Sequence, residues 1–169
     1  RQRNTAKYSC LGLDIDYWFC RLGNILPGKL YFFNTINFMN NMGDIETLED
    51  IKKLVDRFYG GIRENELLGP IFNGIIQDRW PQHLEKMHRF WQTVLLGEHT
   101  YYGSPFPPHA KLPVEQKHFD TWLGLWHEAV NESFTGPKAD EAKWRGDKMA
   151  VMFLSKINYY KDSSAIPLA

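Results

Sequence analysis

The feature that most constrains the fold is a helical hydrophobic period that begins near residue 44 and recurs to the C-terminal region. Thr47 and Asp50 have the spacing of a capping box, in which a hydroxyl and a carboxylate bond free amides of a first helical turn. The period that follows predicts an amphipathic helix of about 17 residues. Its inward face comprises Leu48, Ile51, Leu54, Val55, Phe58, Tyr59 and Ile62.

Three further main helices are predicted between turn signals. The second begins near Pro81 and ends at Gly97, the third spans about Val114–Phe134, and the fourth spans about Lys138–Tyr160. A short apolar segment, residues 71–76, is predicted to be a distorted helical turn. The inward residues are predicted to be His83, Leu84, Met87, Phe90, Trp91, Val94 and Leu95, then Phe119, Trp122, Leu123, Trp126, Ala129 and Val130, then Ala142, Arg145, Met149, Met152, Phe153 and Ile157. No segment has the pattern of a strand, so the predicted fold class is all-α.

One long irregular segment separates the second and third predicted helices. Four prolines, at positions 105, 107, 108 and 113, prevent a long helix there. Long structureless connections inside compact domains are uncommon and usually functional. We therefore expect this segment to contribute to a site.

The first 41 residues have a different character, with no sustained helical period. Asp14 and Asp16 interrupt what would be the apolar stretch of a signal peptide, and no apolar run reaches the roughly 18 residues of a membrane helix. We predict that residues 1–41 are a non-native or disordered extension, with translation beginning at Met39 or Met42. The main domain would then be residues 42–160, followed by a flexible tail, residues 161–169.

Composition excludes some functions and leaves one question open. The 20 basic and 20 acidic residues balance, which argues against a nucleic-acid or anionic-membrane partner. The two cysteines, Cys10 and Cys20, cannot cross-link the main domain, and a cytoplasmic location is the default expectation. The aromatic fraction of 15% fits either a core packed with aromatic rings or a core built around a flat apolar cofactor.

Four polar residues stand out against this apolar background. No histidines have the spacing of a zinc-binding helix motif, and no serine or cysteine lies in the sequence context of a nucleophile. A phosphate-binding loop is absent as well, so the sequence offers no residues for a hydrolase or a kinase. His83 shares a stripe with Met87, Tyr59 and Trp122 also lie on inward faces, and His109 follows two prolines. Each has an ordinary alternative: a buried histidine bonded to a carbonyl, an aromatic side chain tethered by its polar atom, or a surface loop histidine.

The ordered set of motifs resembles the third group of bacterial truncated haemoglobins. The match covers nearly all of residues 44–158 in order, and the set is specific although each string alone is not. The strings are Phe58-Tyr59, Leu68-Gly-Pro-Ile-Phe72, His83, Phe90-Trp91, Leu95-Leu-Gly97, Tyr102-Gly103, Pro107-Pro-His109, Leu112-Pro113 and Trp122-Leu-Gly-Leu-Trp126. The resemblance implies a shortened globin fold, with helices packed two over two around haem b.

The resemblance also implies roles for individual residues. It makes His109 the proximal iron ligand, with His118 as the fallback if the alignment around the prolines is shifted. The distal, ligand-stabilising residues would be Tyr59, His83 and Trp122. The remaining cofactor-binding residues would be Phe58, Phe72, Met87 and Trp91.

The implied function is reversible binding of O2, NO, CO or another small diatomic ligand. Hydrogen-bond donors on the distal side of a dry pocket predict high oxygen affinity with slow release. Nitric oxide detoxification or peroxide chemistry would need a separate reductase, so enzyme activity is left open. The alternatives are a globin-like domain without cofactor, acting as a sensor or interaction module, and a generic four-helix bundle with an aromatic core.

Overall fold

A computed structural model describes residues 42–164, with side chains through residue 161. The predictions made for residues 1–41, including the start of translation, lie outside the described residues, as does the tail at 165–169. Within the described range the secondary structure is helical, without strands. No helix in this range is both long and apolar enough to span a bilayer.

Helix α1, Leu48–Glu64, has the boundaries that the hydrophobic period predicts. Its capping box is confirmed: the Asp50 amide donates to Thr47 Oγ1 at 3.2 Å, and the Thr47 amide donates to Asp50 Oδ2 at 2.9 Å. The helix ends where Asn65 turns the chain, because its side-chain oxygen accepts the amides of Leu67 and Leu68. The local sequence therefore specifies both ends of α1.

Helix α2, Gly69–Ile76, is a regular eight-residue helix, and the prediction of a distorted turn was wrong. A Cβ at Gly69 would lie 2.8 Å from the carbonyl oxygen of Arg63, so only glycine lets the chain pass this closely over the end of α1. Pro70 follows at a first-turn position, where its missing amide hydrogen is no loss.

Helix α3, Trp80–Trp91, begins after a short 3-10 turn, Gln77–Arg79, and runs on as a π-helical segment, Gln92–Leu96. Gly97 ends it in the left-handed conformation, at φ 72°, as predicted. The wider π turn was not predicted. It buries Gln92, whose amide nitrogen donates to Glu98 and whose amide oxygen accepts from Thr100. These bonds fix the first residues of the irregular segment.

The last two helices are α4, Gln116–Ser133, and α5, Pro137–Ser164. Helix α5 extends four residues into the segment predicted to be a tail. Leu48 on α1 and Arg145 and Met152 on α5 were predicted to face inward, and this was wrong, because all three are exposed. Arg145 instead pairs with Glu141 and lies over the Trp144 ring. The buried stripe of α5 comprises Ala139, Ala142, Ala150, Phe153 and Ile157.

Helix α1 packs against α2, α3 and α4, and α4 in turn packs against α5. Aromatic rings fill the centre: Trp126 stacks on Trp91 at 4.2 Å between ring centroids, and Phe58 meets Trp126 edge-on at 5.1 Å. This aromatic layer forms one wall of the cavity that the irregular segment borders.

Candidate functional site

A large pocket opens between α1, α3, α4, α5 and the irregular segment. The cavity volume is about 190 Å3, and the empty space among its side chains, solvent at the open mouth included, is about 1110 Å3. Its lining is mostly apolar and aromatic with a few polar groups. Seven of the eight predicted site residues line it: Tyr59, Phe72, His83, Met87, Trp91, His109 and Trp122.

Phe58 is the predicted residue that does not line the pocket. It is adjacent to Tyr59 on α1, so its side chain points about 100° away around the helix axis. Its ring lies one layer behind the lining, 4.9 Å from Tyr59 and 5.1 Å from Trp122 between centroids, and is 1% exposed. The structure gives Phe58 the supporting position and not the contact that the resemblance implied.

His109 is held by the irregular segment. It ends a single 3-10 turn, Pro107–His109, and its Nδ1 lies 2.7 Å from the carbonyl oxygen of Pro105. Because a carbonyl can only accept, Nδ1 carries the hydrogen and the Nε2 lone pair stays available to a metal ion. Burial lowers the pKa of His109, although the bond to Pro105 opposes this, and the neutral form that ligates metal is favoured.

Three polar side chains reach the same pocket from three helices. The His83 and Tyr59 rings meet edge-on at 5.1 Å, and Trp122 lines the pocket from α4. His83 Nε2 is buried without a hydrogen-bond partner. Neither the Tyr59 hydroxyl nor the Trp122 indole N–H bonds a protein group within residues 42–164. Because a buried polar atom normally has a partner, the His83 nitrogen indicates that a bound group belongs here.

Burial keeps the distal groups neutral. It raises the pKa of Tyr59, and burial together with the charges of Lys86 and His109 lowers the pKa of His83 to about 4. At neutral pH the pocket therefore presents a phenol and an uncharged imidazole. Both can donate hydrogen bonds to a small acceptor.

His118, the fallback ligand, also lines the pocket and is 8% exposed. However, its Nδ1 accepts the amide hydrogen of Glu115 at 3.0 Å, which closes a capping box at the start of α4. The His118 ring therefore has a structural role, because it caps the start of α4. This favours His109 over His118 as the candidate ligand.

Lys86 and Tyr101 also line the pocket, and neither was predicted from the sequence. Lys86 Nζ lies 6.0 Å from the Tyr101 ring centroid, and its charge lowers the pKa of both His83 and His109. A lysine beside an apolar stripe is typical of a solvent-exposed helix edge, so the pattern alone gave no signal. Its position three residues after His83, on the same side of α3, was the only available hint.

Comparisons with known proteins agree with this architecture. The model of the bacterial-like globin family matches residues 37–154. The chain is 34% identical over 116 residues to the group 3 truncated hemoglobin ctb of Campylobacter jejuni, an alignment that covers 66% of this chain and 91% of that protein. The crystal structure of the group III truncated hemoglobin from Campylobacter jejuni superposes with a TM-score of 0.62 at 34% identity, over the same shares of the two chains.

The helices and the pocket between them define a haem globin of the truncated kind, as predicted. The chain belongs to the bacterial-like globin family. Membership implies a haem cofactor, and the residues present fit one: an imidazole with a free Nε2, an apolar and aromatic lining, and a cation at the edge.

Proposed function

We propose that this chain holds haem b through His109 Nε2 and reversibly binds O2 or another diatomic ligand beside Tyr59, His83 and Trp122. One observation carries the proposal. The pocket brings together an imidazole oriented by a backbone carbonyl, that of His109, and a buried imidazole nitrogen without a partner, that of His83. The His109 imidazole is suited to ligate a metal ion, and the His83 nitrogen is suited to donate a hydrogen bond to a small ligand.

A haem in this pocket would supply an iron with one open position for a diatomic ligand. The protein provides the surroundings. Phe72, Met87 and Trp91 exclude water from the ring faces, and Phe58 backs Tyr59 and Trp122 against movement. Lys86, with Tyr101 beside it, would pair with the carboxylate edge of the haem.

The distal donors set the expected behaviour. A hydrogen bond to a polarised ligand in a dry pocket contributes about 1.5–3 kcal/mol, and each 1.4 kcal/mol slows release about tenfold. High oxygen affinity with slow release suits scavenging or chemistry better than transport. Nitric oxide detoxification and peroxide chemistry would use the same donors, with electrons from a separate reductase and a cytoplasmic setting.

The visible spectrum tests the proposal. The purified protein, reconstituted with haem b, should show a strong Soret band that shifts when the reduced sample is exposed to carbon monoxide. The cofactor-free globin-like module is the competing function, and it predicts a colourless protein after the same treatment. That result would remove the proposed function.

A further inference from the structure

Helix α5 is apolar on two opposite faces. One face is the buried stripe that packs against α4. The other face carries Trp144, Val151, Met152 and Tyr159, whose side chains are between 40% and 69% exposed. A surface helix normally presents charged and polar residues to solvent, whereas a helix that is apolar all round is buried. The outer face of α5 therefore has the composition of a surface that is covered by a partner.

The exposed apolar side chains of α5 form one stripe and are not scattered. They recur at three- and four-residue steps along a single helix face, over about 22 Å between Trp144 and Tyr159. Lys148 lies within the stripe, with its Nζ 5.9 Å from the Trp144 ring centroid, so its methylene chain adds apolar surface. The stripe, which we call the α5 outer stripe, comprises Trp144, Lys148, Val151, Met152, Ser155 and Tyr159.

The area of the α5 outer stripe suits a small interface. A tryptophan or tyrosine side chain can bury about 150–250 Å2, so the exposed parts of the four apolar residues amount to about 400 Å2. A patch of this size is often functional on a monomer. Two such stripes packed together would bury about 800 Å2, and a polar rim would bring the total close to the roughly 1,200 Å2 of the smaller specific interfaces. This area is sufficient for weak, reversible pairing of two copies.

A groove beside the stripe makes this face complementary to itself. The groove lies between α4 and α5, has a volume of about 370 Å3, and is lined in part by Val151 and Ser155 of the stripe. We call it the α4–α5 groove; Phe119 and Leu154 are among its other walls. Its volume equals that of roughly ten water molecules, enough for an indole ring. Trp144 projects from the same side of α5, two turns before Val151.

We propose that the chain forms a symmetric dimer in which the α5 outer stripes of two copies pack antiparallel, and Trp144 of each copy fills the α4–α5 groove of the other. A two-fold axis across α5 exchanges the two ends of the stripe, so both rings and both grooves are used at once. Parallel pairing would instead place Trp144 against Trp144 and leave both grooves empty.

The charges along α5 agree with the antiparallel arrangement. The axis lies midway between Trp144 and Leu154, which is near Lys148. It brings Lys156 of one copy opposite Glu141 of the other, a pair of opposite sign at the rim. The two copies of Lys148 would meet close to the axis, where their like charges oppose association. We therefore expect a dissociation constant in the micromolar range.

Sedimentation velocity of the full chain, with haem b added, tests the dimer. The mass should rise from 19.8 kDa towards twice that value as the concentration increases through the micromolar range. Trp144→Glu should weaken association by about 30-fold or more, because it removes a central aromatic ring and brings a charge to the groove. Tyr102→Glu is the matched control: Tyr102 is 90% exposed but lies outside the stripe, and its loss should change nothing.

Two outcomes of this measurement would overturn the inference. The first is a chain that remains monomeric at every concentration, as it would if another segment of the same chain covered the stripe. The second is a dimer that Trp144→Glu leaves unchanged, because its interface would then lie elsewhere.

A substitution at the axis should act in the opposite direction. Lys148→Leu should tighten association by about tenfold, since it removes two like charges that face each other. Lys148→Arg keeps the charge and should leave the dissociation constant unchanged. Tighter association cannot result from a folding defect, so this pair of variants keeps the test decisive if Trp144→Glu lowers stability. Equal dissociation constants for Lys148→Leu and the wild type would contradict the proposed axis.

Disulfide trapping distinguishes antiparallel from parallel pairing. In a chain with Cys10→Ser and Cys20→Ser, Lys148→Cys should cross-link two copies on mild oxidation, because the two cysteines lie near the axis. Tyr159→Cys should not, because antiparallel helices would hold the two residues about 30 Å apart. Cross-linking through Tyr159→Cys would show parallel pairing and refute the arrangement.

The dimer goes beyond the proposed function and does not depend on it. Sedimentation of the haem-free chain separates the two, because none of the four exposed apolar residues of the stripe lines the haem pocket. A chain that pairs through Trp144 but never takes up haem would support the dimer and refute the proposed function. A coloured protein that remains monomeric would do the reverse.

Discussion

Two tryptophans one turn apart on α4 differ in what their polar atoms do. Trp126 is fully buried, and its Nε1 donates to the carbonyl oxygen of Ala142 at 2.9 Å. Trp122 is half-buried and lines the pocket, and its Nε1 has no protein partner in the part of the chain that the structure describes. The rings are nearly parallel, 5.9 Å apart. The same side chain therefore supports the core at one position and faces a ligand site at the next.

Residues on α1 and α3 show the same difference between a side chain in the core and a side chain at the pocket. Phe58 lies in the aromatic layer and has no polar side-chain atom, whereas Tyr59 beside it and His83 on α3 line the pocket, where His83 Nε2 has no protein partner. A satisfied polar atom indicates a structural role, and an unsatisfied one indicates a ligand. The predictions below test whether this distinction holds.

The largest expected effect is the loss of Trp126. Trp126→Ala should lower the free energy of unfolding by about 3–5 kcal/mol, because it removes a fully buried ring and its hydrogen bond. Trp122→Ala, the matched variant, should cost about 1–2 kcal/mol, since half-burial forfeits less apolar surface. Urea denaturation of the cofactor-free proteins measures both. Equal losses would show that the two tryptophans do not differ as the structure indicates.

The second effect concerns the ligand side. His109→Ala should lower haem affinity by at least about 100-fold, because removing a ligand exceeds the roughly 10–100-fold loss seen when only its supporting partner is removed. His118→Ala is the control: it should destabilise the start of α4 but retain the wild-type spectrum. Haem titration followed in the Soret band measures both. Retention of the spectrum in His109→Ala and its loss in His118→Ala would exchange the two assignments.

The helices were predictable from the sequence, and the site was predictable only in part. The capping box at Thr47, the period through Ile62 and the stop at Gly97 are local signals, and each appears in the structure where predicted. The π turn after Trp91 was not predictable, because it depends on the burial of Gln92 against residues of the next segment. Local sequence specifies helix ends, whereas the details of a turn depend on tertiary partners.

The pocket shows the same limit. Tyr59, His83 and Trp122 lie on inward stripes, so the period places them inside, but it cannot state which of them find partners. The bond from His109 to Pro105 is local, and the prolines anticipate a rigid segment without giving its direction. Lys86 was not assigned, because its spacing from His83 is local but its proximity to His109 arises from packing between elements.

The third effect distinguishes a ligand donor from a structural tether. Tyr59→Phe should raise the O2 dissociation rate constant by about 10–100-fold, the equivalent of one hydrogen bond to a polarised ligand. It should leave the free energy of unfolding nearly unchanged, because the hydroxyl bonds no protein group among the described residues. Stopped-flow release of O2 and urea denaturation give the two values. Loss of about 1 kcal/mol of stability with an unchanged off-rate would instead identify a tether.

The smallest effect tests a satisfied group outside the pocket. Asp44 accepts amide hydrogens from Lys138 at 2.9 Å and Ala139 at 2.8 Å, and so caps the first turn of α5 from a distant part of the chain. Gly136 permits this approach, because a Cβ there would lie 2.6 Å from Asp44 Cγ and its φ is 132°. By analogy with other caps, Asp44→Ala should cost about 1 kcal/mol at pH 7. Ligand rate constants should not change.

The pH dependence of this cost follows from the pKa of Asp44. Partial burial raises it, but the amide hydrogen bonds from Lys138, Ile45 and Ala139 and the charge of Lys138 lower it further, below its ordinary value. The folded state thus favours the carboxylate, so its stabilisation is complete above the unfolded pKa of about 3.9 and is lost as the pH falls through the lower folded value. Urea denaturation from pH 7 to pH 3 should therefore show wild type and Asp44→Ala converging only at the acid end. A gap that stays constant would mean that the carboxylate charge contributes nothing to the cap, and that the protonated side chain stabilises the start of α5 as well as the ionised one does.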